Sequence, residues 1–218
     1  MKQLTLSCSA LCAALLLLLG WNATAANITL KLSDPLGTSS WTTNGSATTS
    51  TNWSDGLVPA VANDYFTLNL ALRTPNPATN AAAGTNPPTF VGNSLSIDPG
   101  GQLLMKHFGN LTVLNLKLNG GLIFQGDNFP MTNYGTILLN ATTNSYIGSD
   151  TPARTLDVRA NIIGTGTANL VISNIWGTAG PTNIGVLLSG TNLFTNNVAI
   201  SNAYVKLNSI QALGATNG

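Results

Sequence analysis

The residues able to do chemistry in this chain are few and scattered. The single histidine, His107, sits in Met105-Lys-His-Phe108. A Ser-His-Asp triad would have to use it, yet no Gly-x-Ser-x-Gly elbow occurs, so a structural His107 is the expectation. There is no Glu, and all seven acids are Asp. Asp55 and Asp64 fall in one region and Asp150 and Asp157 in another, but neither spacing defines a glycosidase pair. Asp157 and Arg159, two apart on one strand face, read as a solvated pair. Asp-x-Asp, His-x-x-x-His and calcium-binding nonapeptide patterns are all missing, so no metal or cofactor is expected. The remaining candidates are aromatic: Trp41, Trp53, Tyr65 and Trp176 could offer ring faces to sugars. Packing in a core is the commoner fate of such rings.

The start of the chain reads as an address rather than a fold. Lys2 is a positive n-region, Leu11 to Leu19 an apolar core, and Ala23-Thr24-Ala25 a small-x-small cleavage site. Residues 1–25 are therefore a signal peptide, and Ala26 begins the mature chain. The apolar run falls short of the about 20 residues that span a bilayer, so no membrane span is expected in the mature chain. Cleavage removes Cys8 and Cys12, leaving neither disulfides nor a thiol nucleophile. It also takes Lys2 from eight basic residues, leaving seven against seven acids. Charged residues are 7% of the composition, where ordinary globular proteins have roughly a quarter. That balance supplies no footprint for nucleic acid. Stability must come from the core of about 190 residues alone.

The elements that would position any site are short strands. In 93–125, Leu95-Ser-Ile97 leads to Gly100-Gly101 and Leu103-Leu104, and Leu116-Lys-Leu118 leads to Gly120-Gly121 and Leu122-Ile123. The Gly pairs stand 20 residues apart, the mark of a β-solenoid. Leu114, Leu116 and Leu118 are expected on one face, as are Leu156, Val158, Ala160 and Ile162. Val198, Ile200, Val205 and Leu207 repeat the pattern near the end. Ile28 to Leu32 reads as a further strand. An open solenoid end needs cover, so 26–66 is expected to cap it with Trp41 and Trp53 against the first strands. Thr38 to Asn52 reads as turns and loops, and 73–89, with four prolines, as an extended loop. The organisation is thus 1–25 signal peptide, 26–89 cap and proline-rich loop, and 90–218 solenoid.

The segment 185–214 resembles the autotransporter-associated β-strand repeat of large bacterial surface proteins. Leu187-Leu-Ser-Gly-Thr-Asn192, Phe194-Thr195 and Ala212-Leu-Gly214 carry the likeness. Asn196-Asn197 stands where that repeat has Gly-Gly, and Asn202-Ala203 where it has a turn glycine. The Trp41…Trp53…Gly56…Pro59…Asp64 region is similar to the entry segment before such repeats, and Ile163-Gly-Thr-Gly166 to another of its phrases. The resemblance implies an all-β, right-handed parallel β-helix, a secreted passenger without catalytic residues.

The expectation is then an exported, non-catalytic β-helical segment on a bacterial surface, acting as stalk, adhesin or structural component. The alternative is an extracellular carbohydrate-binding or polysaccharide-degrading β-helix protein. Extracellular glycans and other surface proteins are the expected partners. The strand ending at Asn208 and the turn after it resemble an ordinary repeat, so a longer natural chain and end-to-end self-association are expected as well.

Overall fold

The computed structural model describes residues 25–33, 52–74, 89–106, 109–127, 130–150, 154–174 and 185–214. Residues 1–24 of the leader, 38–51 of the Thr/Ser-rich stretch and 75–88 of the proline-rich run lie outside them. The described chain is all strand and turn, with no helix, and so no helix able to cross a membrane. The strands begin with β1 (Asn27–Thr29), β2 (Asp64–Phe66), β3 (Ala71–Arg73), β4 (Thr89–Phe90) and β5 (Ser94–Ile97). There follow β6 (Gln102–Met105), β7 (Gly109–Leu118), β8 (Leu122–Gln125), β9 (Met131–Leu138), β10 (Ser145–Ser149) and β11 (Leu156–Val158). The last are β12 (Asn161–Gly164), β13 (Leu170–Asn174), β14 (Val186–Leu188), β15 (Leu193–Phe194), β16 (Val198–Ser201) and β17 (Val205–Leu207).

These strands form two sheets, and every ladder between them is parallel. The larger has eleven strands, with β1-β2-β5-β7-β9-β11-β14-β17 as its path; β4 also pairs β7, and β12 links β9 to β15. The smaller runs β3-β6-β8-β10-β13-β16. From β5 to β10 the chain changes sheet after every strand, and each return lays a strand beside the previous one of that sheet. The short strands β1 to β3, within the region read as a cap, belong to these same sheets.

Parallel pairing stacks residues of one kind into columns. In the smaller sheet Leu72, Leu103, Ile123, Ile147, Ile172 and Ile200 are paired in succession. In the larger sheet one column runs Ile28, Tyr65, Leu95, Leu116, Ile137 and Ile162, and another Met131, Leu156, Val186 and Val205. All but Ile200 and Val205 are buried. Each full burial of such a side chain contributes about 1.5–3 kcal/mol. Parallel sheets usually have both faces covered and read as continuous apolar runs. Here alternation survives because one face packs inward while Thr, Asn and Lys face outward.

The Gly pairs join the two sheets. Gly100 has φ +80° and meets nothing closer than Asn69 Cβ at 3.4 Å, so it is required for its backbone conformation alone. Leu114 does not join Leu116 and Leu118 inside. Val113 pairs Gly135 and Asn115 pairs Thr136, so Leu114 is an extra, bulged residue and is 58% exposed. The bulge resets the alternation: Leu111 and Val113 are buried before it, Leu116 and Leu118 after it. Gly135, at φ +109°, lies so close under the bulge that a Cβ would overlap the Val113 carbonyl. Leu156, Val158, Ala160 and Ile162 do share the buried face, divided between β11 and β12.

The two ends differ. At β1, Leu30 bridges Trp53 in antiparallel fashion, with Lys31 N donating to Asn52 O and Ser54 N to Thr29 O, both at 2.8 Å. Over β3, Ala71 N donates to Ser33 Oγ at 2.9 Å. Ile28, Leu30 and Leu72 are accordingly buried, whereas Leu32 is exposed. At β16 and β17 the expected core residues Ile200 and Leu207 are 53% and 47% exposed, for among the described residues no further strand pairs beyond them.

Buried polar side chains also enter the columns, as Gln125, Ser149 and Asn174 do beyond Met105 in the smaller sheet. Asn133 stands between Leu111 and Val158, fully buried, and neither amide atom has a hydrogen-bond partner. An unsatisfied buried amide costs about 1–3 kcal/mol. Asn133→Val should therefore raise stability by about 1–2 kcal/mol in urea unfolding; a loss of stability would mean that the amide is satisfied. Gly100→Ala should cost about 1–2 kcal/mol, the left-handed penalty alone. Gly135→Ala should cost more, because the carbonyl overlap adds to it. Equal unfolding midpoints for the two variants would refute the close approach.

Candidate functional site

Two of the four aromatic candidates can be placed. Trp53 and Tyr65 are fully buried and pack edge to face with centroids 4.8 Å apart, and Phe90 meets Tyr65 at 5.3 Å and 88°. The Tyr65 hydroxyl is occupied, accepting from Ala60 N at 2.8 Å. Neither ring has a face for a sugar, so this is a packing cluster at the covered end of the sheets. Trp41, Trp176 and His107 lie outside the described residues.

The acids are tied to separate partners. Asp55 Oδ1 accepts from Leu57 N at 3.0 Å, while Asp64 is bound across strands by Ser94 and Asn93. Asp150 pairs with Arg154. Asp157 accepts from Arg159 Nε at 2.8 Å and from Ser189 Oγ at 2.6 Å, and Arg159 also lies 5.9 Å over the Tyr134 ring. Among the described residues no three His, Cys, Asp or Glu side chains converge to hold a metal. Along another edge, Lys106 donates to Gly126 O beside Asp127, Arg73 and Arg154. Burial pushes the Lys106 ammonium down, opposed by Asp127 and helped by the two arginines.

A concavity of about 210 Å³ lies on the outer face of the larger sheet. It runs across β5, β7, β9 and β12 and is lined by Asn93, Ser94, Asn115, Lys117, Thr136 and Leu138, among others. Parallel register builds it from two columns. On the polar side Asn115 pairs Thr136, which pairs Asn161 beyond the groove, and Ser94 at the head pairs Asp64 of the neighbouring strand. The other side takes Ser96, Lys117, Leu138, Ile163 and Leu193. At the polar head, Asn93 Nδ2 donates to Asp64 Oδ1 at 2.9 Å, the Ser94 hydroxyl donates to the same oxygen, and Lys117 Nζ stands 4.0 Å away. Asn115 Nδ2 donates to Asn93 O at 2.8 Å, fixing that amide at the rim. The Ser94 hydroxyl holds the Asp64 carboxyl below its ordinary value; burial opposes this, and Asn93 and Lys117 assist it. Such a surface offers paired donors and acceptors on one side and a hydrocarbon strip on the other.

A second, shallower depression of about 140 Å³ is floored by Gly100, Gly101, Gly120 and Gly121, with Tyr146 at its side. Tyr146 is 38% exposed, an accessible ring that sequence reading passed over. The groove was missed as well, for its members are isolated Asn, Ser and Thr in a chain full of them. Only the cross-strand register brings them together.

Two acids should report on opposite sides of acid unfolding. Asp64 is depressed in the fold, so its stabilisation is present above the unfolded value of about 3.9 and lost as pH falls through the lower folded value. Asp98 is pushed up by burial, against a 3.0 Å bond from Leu68 N and one from Asn119. Its contribution is present in acid and lost as pH rises through the raised folded value. Asp64→Asn should be less stable than the parent chain at pH 7, with the gap narrowing as pH falls below about 3.9. Asp98→Asn should gain on the parent over the rise to pH 7. Urea midpoints across that range read both signs, and parallel pH curves for all three chains would refute the assignment.

Comparison with known protein families, curated proteins and solved structures finds no match to this chain.

Proposed function

We propose that the chain is an exported right-handed parallel β-helix, serving on a bacterial surface as a stalk, adhesin or structural component. The observation that carries this reading is the stacking of apolar columns through two all-parallel sheets that the chain visits in turn. A helical winding is the simplest path that returns each strand parallel to the one before it. Parallel crossovers are right-handed in about 98% of cases, which supplies the hand.

The repeat-like segment supports the same reading. Asn192, from Leu-Ser-Gly-Thr-Asn, is buried; its Oδ1 accepts from Ile162 N at 2.9 Å and its Nδ2 donates to Ala212 O at 2.6 Å. The motif asparagine thus ties the strand before it to the turn after it, as a repeating unit requires. Gly214 packs under Phe194 O, so the Ala-Leu-Gly phrase seats on the Phe-Thr phrase.

Expression of the chain in an exporting bacterial host tests the proposal. The protein recovered outside the cytoplasm should begin at Ala26 by intact mass, and beads coated with it should clump or adhere to cells. Retention with Met1 in place would overturn export. Coated beads as dispersed as bare ones would overturn the adhesive role.

A further inference from the structure

A stalk needs a core and a soluble skin, but it has no need of a two-sided groove built by register on its outer face. We infer that the groove across β5, β7, β9 and β12 binds a linear polysaccharide laid across the strands. It is a site distinct from the aromatic residues that sequence reading singled out.

Three features of the groove select this ligand. Its polar side presents the Asn115 amide and the Thr136 hydroxyl on paired strands about 4.8 Å apart, with Asn93 and the buried Ser94 at the head. The Thr136 hydroxyl can both donate and accept and the Asn115 amide oxygen can accept, which suits the hydroxyls of a sugar chain. The facing wall turns apolar at Leu138 and Ile163 and suits the C–H face of a pyranose ring. The charges at the head, Lys117 and Asp64, stand at 4.0 Å and offset each other. The groove therefore has no net positive field for nucleic acid, and its polar wall is unsuited to a lipid. It also lies on a sheet face rather than an edge, so an extended peptide would gain no backbone ladder there.

The head of the groove is already ordered. Asp64 is held by Ser94 and Asn93, and Asn115 by the Asn93 carbonyl, so little side-chain freedom remains to be lost on binding. The Lys117 ammonium is the adaptable group, 4.0 Å from its carboxylate partner and free to turn toward a sugar hydroxyl or a uronate.

Calorimetric titration of the mature chain with cello-, xylo- and chito-hexaose and with oligogalacturonate tests the inference. At least one of these should bind. Asn115→Leu combined with Thr136→Val should weaken that binding by tenfold or more while circular dichroism keeps the parent fold and the melting midpoint falls only by the loss of the Asn115 bond to Asn93 O. Both side chains face outward and neither holds the core. Tyr146→Ala, on the glycine-floored depression, should leave binding intact. If none of the four binds, or if binding survives the double substitution, the inference fails. If Tyr146→Ala abolishes binding instead, the site is the glycine-floored depression and the groove assignment is wrong.

Discussion

Parallel pairing at about 4.8 Å constrains what each strand of this protein can carry inward. A residue that faces the interior on one strand is packed directly against its partners on the strands before and after it. A column is therefore only as good as its worst member, and Leu72 through Ile172 is unbroken. Where the constraint is broken, the exception is visible. Asn133 leaves two amide atoms unpartnered between Leu111 and Val158. The Leu114 bulge is accepted only because Gly135 opposite has no side chain to collide with the Val113 carbonyl.

Stacking also creates ends, and the two ends are treated differently. The first strands are covered by short local devices: an antiparallel bridge from Trp53, a serine hydroxyl over β3, and an aromatic cluster of Trp53, Tyr65 and Phe90 that fills the space beneath. The last strands keep apolar side chains in view.

The outer faces answer a different demand. With so few charges, solubility rests on Asn, Thr and Ser, and the charges that remain are spent locally. Asp64 ties β2 to Ser94 of β5, and Asp157 ties β11 to Ser189. Because parallel register repeats outward positions as faithfully as inward ones, polar residues fall into columns too. The groove on the larger sheet is the product of that rule, and so is its amphipathic section.

The Gly100 and Gly120 corners and the alternation in 93–125 made strand, turn and strand legible from local pattern. There the paired strands lie close in sequence, Leu103 pairing Ile123 only 20 residues on. Farther along, Ile123 pairs Ile147, Ile147 pairs Ile172 and Ile172 pairs Ile200, so the interval widens and the repeat fades from view. Alternation also said which of Leu156, Val158, Ala160 and Ile162 share a face, since period two is a local property of the extended backbone. It could not foresee Leu114, because a bulge is set by the partner strand, and Gly135 lies 21 residues away. Nor could it tell whether Trp53 and Tyr65 face sugar or core, since Phe90 reaches them only across the fold. The sequence by itself determined the all-strand class, the corners and the low charge, which depend on neighbours along the chain. Only the tertiary structure decided the register, the cover over the first strands and the groove, because each depends on which distant strand lies alongside.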